Sequence, residues 1–413
     1  MSRVCLYALF KKIISMCLDA INAEKQEIYN MINKEPMSEK TAFEYFRDEK
    51  ITTGWNLGDT LDAHEKGKSK ETAWGNPKIN QTLFFGVKEA GFDLVRIPVT
   101  WMGHFGAEPE YPIEKKFLER IAEVTCYAHN SGLKAIINMH HDGITSKTEK
   151  TEGWHSVARA CKNIQEYEKI THQFAQLWKQ IAEYFKNCGS WLMFESMNEI
   201  HDGNWGHNSG GELKIDSVLQ PQIEIVNKWN QVFTDVVRST GANNASRFLV
   251  LPGYCTVPEY TAASCFILPD DPVPERQIVT FHYYDPYKFG IEGTQDFWGS
   301  EEDKKRVDED FTPFKSVFIN KSIPVIIGES GAVLQLHPDD KDKEAQARQS
   351  RLDYIGYVYG KAREYGLVPV YWDNGAGAAS KDGEKFGLIN RKTGKPNSKE
   401  SETVLKAMFA SMK

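Results

Sequence analysis

The sequence predicts a (β/α)8 barrel, an α/β fold of the TIM type, filling most of a 413-residue chain. Three observations carry this. From about residue 50 onward, eight short apolar runs of strand character alternate with segments of helical period. Most of those runs are continuously apolar, as strands buried on both faces are. The alternative, a doubly wound sheet, would want a glycine-rich phosphate turn after its first strand, and GxGxxG is absent.

The expected strands are Thr53–Leu57, Leu94–Val99, Lys134–Asn138, Leu192–Ser196, Phe248–Leu251, Ile278–Phe281, Val325–Gly328 and Val368–Trp372. Ahead of the first, Ala42, Phe43 and Phe46 suggest a short amphipathic helix that closes the barrel bottom. Between the third and fourth, Ile170, Phe174, Leu177, Trp178, Ile181 and Phe185 recur at helical spacing and form one apolar face. After the fourth, Pro221 opens a helix carrying Val226, Trp229, Phe233 and Val236, and Gly241 stops it. No Pro-, Gly- or Ser-rich linker divides the later chain. Residues 37–413 are therefore expected to form a single barrel domain, with residues 1–36 as an N-terminal extension. The loops after most strands read as short.

Hydrophobic residues make up 41% of the chain and charged residues 26%, the make-up of a folded globular protein. Fifty Lys and Arg against 57 Asp and Glu leave a net charge of -7. A phosphate backbone demands a basic excess, so nucleic acid is not an expected partner. The seven cysteines include no CxxC pair and read as small buried side chains rather than disulfides or zinc ligands. No run approaches the roughly 18 to 20 apolar residues of a membrane span, so no membrane partner is expected. The apolar stretch from Val4 to Leu18 is split by Lys11-Lys12, whereas a secretory signal puts its positive charge first, so it is no clear signal peptide.

In such a barrel the active site lies at the C-terminal ends of the strands. There the chain places Arg96, His140-His141-Asp142, Asn198-Glu199, His282-Tyr283-Tyr284, Glu329 and Trp372. Glu199 and Glu329 each follow an apolar strand, where an unpaired charge is costly to bury, and two carboxylates in one cleft suit glycoside hydrolysis. Arg96 beside a nucleophilic Glu would hold it ionised. His282 and Tyr284, two apart, share a face and can bond one carboxylate or ligand. His140-His141 invites a metal, but adjacent strand residues point to opposite faces, so no metal and no cofactor is expected. Seven tryptophans, Trp55, Trp74, Trp101, Trp154, Trp205, Trp298 and Trp372, fall at strand ends or in the following loops. Sugar rings stack on indoles, so an aromatic cleft with carboxylates suits a polysaccharide.

Together the motifs GWNLGDTLD, TAWGNP, LVRIPVTW, INMHHDG, FESMNEI, VTFHYYDP, IPVIIGESGA and VYWDNG resemble family 5 glycoside hydrolases, from about Gly54 to Gly375 and in the right order. GWNLG with TAWGNP and FWGSEED is most similar to the branch holding endoglucanases, xyloglucanases and lichenases. The resemblance implies Glu199 as acid/base and Glu329 as nucleophile. It also puts Arg96, His140, Asn198, His282, Tyr284 and Trp372 at site positions, with Asn198 on the sugar 2-hydroxyl, Tyr284 beside the nucleophile, and Asn56 and His141 lining sugar subsites. Three positions depart from the family pattern: Asp59 where Asn is usual, Ile200 where Pro often follows, and Ser330 where an aromatic is common.

The expectation is thus a retaining endo-β-1,4-glucanase acting on cellulose-type glucans, and on xyloglucan and mixed-linkage β-glucan, as a monomer and outside the cell because its substrate is a polymer. An endo-β-mannanase or xyloglucan-specific enzyme is the alternative on the same fold. A non-catalytic polysaccharide-binding barrel is the alternative from another class, and it could dispense with one of the two glutamates.

Overall fold

A computed structural model describes residues 35–143, 153–208, 210–375 and 385–413. The extension expected over residues 1–36 therefore lies outside the described residues except for Glu35 and Pro36. Glu35 is held at the barrel base, 2.9 Å from His129 Nε2, and its carbonyl accepts from Asn243 Nδ2 at 2.6 Å.

All eight expected strands form. They are β1 Gly54–Leu57, β2 Leu94–Ile97, β3 Lys134–Ile137, β4 Leu192–Glu195, β5 Leu249–Pro252, β6 Gln277–Tyr283, β7 Val325–Ser330 and β8 Val368–Asp373. Every neighbouring pair is parallel and β1 pairs with both β2 and β8, which closes the barrel. β6 and β7 run past their expected ends, so His282 and Glu329 are strand residues held by ladder hydrogen bonds rather than loop residues, and Trp372 lies within β8 as expected.

Alternation along each strand builds the interior in layers. Leu94, Ile136, Met193, Ile278, Ile326 and Val368 form the lower layer. Two residues further along their strands come Arg96, Asn138, Glu195 and Thr280, all fully buried. A polar layer therefore sits on an apolar one. Below both, the helix Ala42–Asp48 plugs the barrel with Ala42, Tyr45 and Phe46, its first turn fixed by a capping box between Thr41 and Glu44. Phe43, expected on that face, is only half-buried, because the spacing from Ala42 to Tyr45 and Phe46 sets the inward stripe.

The helix Ile164–Phe185 buries all six residues read as its apolar face, and Asn163 caps it by accepting from the Glu166 amide at 2.9 Å. The next long helix, Leu219–Ser239, starts two residues before Pro221, which its first turn accommodates, and Gly241 follows at φ 67. A helix follows each of the eight strands, and the shortest repeat is the one after β5, whose helix is the four residues Pro258–Thr261. The expected short loops are not the rule: residues 58–80 and 98–114, all described, separate β1 and β2 from the helices that follow them.

Candidate active site

Arg96 organises the site floor. Its guanidinium has five N–H donors and all five are used. Nε and Nη2 grip the two oxygens of Glu195 at 2.6 and 2.7 Å. Nη1 donates to Glu329 Oε1 at 2.7 Å and to Asn56 Oδ1 at 3.1 Å, and Nη2 donates to Asn198 Oδ1 at 2.8 Å. Sequence reasoning missed Glu195. Its signal was the strand alternation, since in LMFE the inward Met193 puts Glu195 inward as well, level with Arg96.

Asn56 corrects an expectation. It is fully buried, and its amide donates to the Gly328 carbonyl at 2.8 Å while its oxygen serves Arg96. It therefore braces the floor beneath the cleft rather than lining a sugar subsite. Asn198 is almost fully buried next to Glu199 in the chain. Because its oxygen faces Arg96, its Nδ2 is the end turned toward a ligand.

One oxygen of Glu199, one of Glu329 and one ring nitrogen of His282 all lie within 4.8 Å of one another. His282 Nδ1 is 2.5 Å from Glu199 Oε1 and 3.7 Å from Glu329 Oε2. His282 Nε2 is buried without a hydrogen-bond partner among the described residues. An orphaned acceptor is less costly than an orphaned N–H, which puts the proton on Nδ1, facing Glu199. Tyr284 donates to Glu329 Oε2 at 3.0 Å, and the Thr256 hydroxyl, another residue the sequence reading missed, donates to the Cys255 carbonyl at 2.7 Å, close enough to Glu199 to pull its carboxyl down. Thr256 reaches it from a sharp turn in which both Cys255 and Thr256 hold φ 51, unfavourable for residues with a Cβ.

Glu329 is aimed inward by a bulge. The β6–β7 register runs Phe281 to Ile327 and then His282 to Glu329, skipping Gly328. A Cβ on Gly328 would lie 2.5 Å from Thr280 Oγ1 and 3.1 Å from His282 Nε2, so glycine is what lets the chain bulge there. Likewise, a Cβ on Gly58 of GWNLG would approach the Trp372 indole to 2.8 Å.

The wall above Glu329 is aromatic. Trp372 and His140 lie nearly parallel, centroids 5.8 Å apart, and His140 Nε2 is 3.8 Å from Glu329 Oε1. His141 sits beside Trp74 and His64, with centroids at 5.5 and 5.8 Å. Of the seven tryptophans, Trp55, Trp101 and Trp298 are buried packing residues; Trp55 and Trp101 donate to Asp373 and to the Asn138 carbonyl. Trp74 and Trp154 are partly exposed and Trp205 is exposed, so the aromatic face is smaller than the count suggested. Ser330 turns away from the cleft to Tyr359 and the Val370 carbonyl, which removes that family departure from the substrate surface. Asp59 takes φ 56, a conformation that Asp and Asn both tolerate.

The argument that adjacent histidines diverge does not hold here. His140 lies beyond the end of β3 and His141 begins a 3-10 turn, so their rings meet with centroids 4.3 Å apart. Among the described residues two groups could hold a cation: Asp62 with His140 and His141, and Glu199 with His282 and Glu329.

Burial sets the ionisation. It pushes the Glu199 carboxyl up to about 7, against the pull of Arg96 and Thr256, so desolvation is the main cause. Glu329 is also raised by burial, opposed by His282 and Arg96. Burial lowers His282 to about 4 and His141 to about 3, and takes His140 well below its ordinary value, so all three imidazoles are neutral at pH 7.

The model of the cellulase family (glycosyl hydrolase family 5) matches residues 60–378. Endoglucanase A of Paenibacillus barcinonensis is 33% identical over 362 residues, covering 82% of this chain and 83% of the relative. A broad-specificity endoglucanase from Bacteroides salanitronis superposes with a TM-score of 0.79 at 37% identity, covering 92% of this chain and 97% of that one. A xyloglucanase from Paenibacillus pabuli gives 0.76 at 32% identity, over 88% and 99%. By its motifs, its closed barrel and these matches, the chain belongs to glycosyl hydrolase family 5, the cellulase family.

Proposed function

We propose that this glycoside hydrolase is a retaining endo-β-1,4-glucanase. The observation that carries the reading is the pair of carboxyls, Glu199 partly buried and Glu329 buried, with oxygens within 4.8 Å and unlike surroundings. Retaining enzymes hold their two carboxyl groups about 5 to 5.5 Å apart, while inverting enzymes leave about 6.5 to 9.5 Å for a water. Glu329 touches a guanidinium and a phenol, which favour its charged form against the pull of burial. Glu199 touches a neutral imidazole, lies near a hydroxyl and keeps its proton up to about pH 7. Glu329 Oε2 attacks the anomeric carbon while Glu199 gives its proton to the departing oxygen. The ester to Glu329 is then hydrolysed, with Glu199 taking a proton from the incoming water.

Asn198 Nδ2, fixed by Arg96, donates to an equatorial 2-hydroxyl. Glucans present one, and mannans present an axial hydroxyl that meets the amide in the wrong direction. Xyloglucan and mixed-linkage β-glucan share the glucan backbone, so both are read as substrates. The enzyme is read as acting as a monomer, and a polymeric substrate supports work outside the cell. No helix among the described residues is long and apolar enough to cross a membrane. Proton NMR during hydrolysis of cellopentaose tests the mechanism: the β-anomer should appear first, and a first-formed α-anomer would overturn retention.

A further inference from the structure

We infer that Glu195, which cannot reach the substrate, is a positioning residue that divides the charge of Arg96 and so sets the nucleophilicity of Glu329. This rests on the reading of Glu329 as nucleophile. Arg96 and Glu195 are both fully buried, and Glu195 has no route to the cleft. Its two oxygens occupy the Nε–Nη2 edge of the guanidinium, the geometry in which Arg and carboxylate bind most specifically. Only Nη1 is left for Glu329, and it is shared with Asn56. One cation thus faces two carboxylates in a floor that excludes water.

Following the charge through the reaction shows what this does. In the free enzyme Arg96, Glu195 and Glu329 sum to one negative charge, so Glu329 feels the guanidinium weakened by Glu195 and stays a competent nucleophile. When Glu329 becomes a neutral ester, its charge passes to the departing oxygen, which takes the Glu199 proton. Arg96 would then be a buried cation without a counter-charge, a costly state. Bidentate Glu195 keeps it compensated and holds the guanidinium in place while the ester stands. Asn138 Nδ2, 3.5 Å from Glu195 Oε1, supports the carboxylate from the residue that follows β3.

The test is Glu195→Gln, assayed from pH 4 to 9, with Glu195→Asp beside it. The Gln variant should lose about 10- to 100-fold in kcat, the scale of loss when a supporting contact lets a catalytic group shift. KM should change little. The acid limb of kcat/KM should move down by about one pH unit, because Arg96 now acts on Glu329 alone. The Asp variant keeps the charge and should keep the acid limb of wild type, whatever its kcat. An unmoved acid limb in the Gln variant, or an equal downward shift in the Asp variant, overturns the inference. If the Gln variant does not fold, the inference rests on the Asp variant, where a displaced acid limb overturns it. Wild-type enzyme inactivated with a 2-deoxy-2-fluoro-cellobioside separates the two levels. A label on Glu329 with an unmoved limb sinks the role of Glu195 alone, and a label elsewhere sinks the nucleophile assignment beneath it.

Discussion

Raising the pH through neutrality should switch this enzyme off by removing one proton. Glu199 has its carboxyl pushed up to about 7 by burial, and only the protonated form can act as acid. With a midpoint near 7, about nine-tenths of the sites are protonated at pH 6, about one-tenth at pH 8 and about one-hundredth at pH 9. The kcat/KM on carboxymethyl cellulose should therefore fall about tenfold from pH 6 to 8 and close to 100-fold by pH 9. Glu199→Ala should lose about 10²- to 10⁴-fold on the same substrate and lose the basic limb with it. On a dinitrophenyl cellobioside, whose leaving group needs no proton, the variant should form the glycosyl-enzyme at close to the wild-type rate and then stall, because water lacks its base. Azide should relieve the stall with retained configuration. A wild-type profile flat to pH 9, or the same basic limb in Glu199→Ala, would refute the assignment of the acid.

The same proton has a cost in stability that Glu199→Gln should expose. Below about pH 4.5 both the folded and the unfolded chain hold it and wild type and variant differ little; between 4.5 and 7 only the unfolded wild type releases it, so wild type loses stability as pH rises and the variant does not. Allowing for a side chain one-fifth exposed, the variant should gain on the order of 2 kcal/mol by pH 8, read from urea unfolding, and an equal difference at pH 4 and 8 would contradict this. Gly328→Ala should misplace Glu329, because its Cβ would meet Thr280 Oγ1 at 2.5 Å; kcat should fall about 100-fold with the circular dichroism spectrum kept, and full activity would refute the bulge argument.

Much of this was legible in the sequence because strands buried on both faces leave an unmistakable mark. Eight apolar runs became eight barrel strands, and the helix over residues 164–185 buried the stripe its spacing foretold. The polar residues at strand ends came together around Glu329, as the barrel topology requires. What failed had local causes. His140-His141 was judged by strand alternation although the strand ends at Ile137 and a 3-10 turn brings the rings together. Asn56 was read from its motif as a sugar contact, yet its position level with Arg96 makes it a floor brace. Glu195 was overlooked because a charge inside an apolar run draws no attention until its buried partner across the barrel is known. Thr256 could not be found at all, since the turn that delivers it depends on an unfavourable backbone conformation that composition does not announce.

The most direct measurement identifies the residue that carries the sugar. Inactivation with a 2-deoxy-2-fluoro-cellobioside slows both steps but spares the first when the leaving group is good, so the ester accumulates and peptide mass spectrometry can place it. The account predicts a single added fluoro-cellobiosyl unit on the peptide containing PVIIGES, at Glu329. Label on Glu199, or a burst-free inactivation that leaves every carboxylate unmodified, would contradict it.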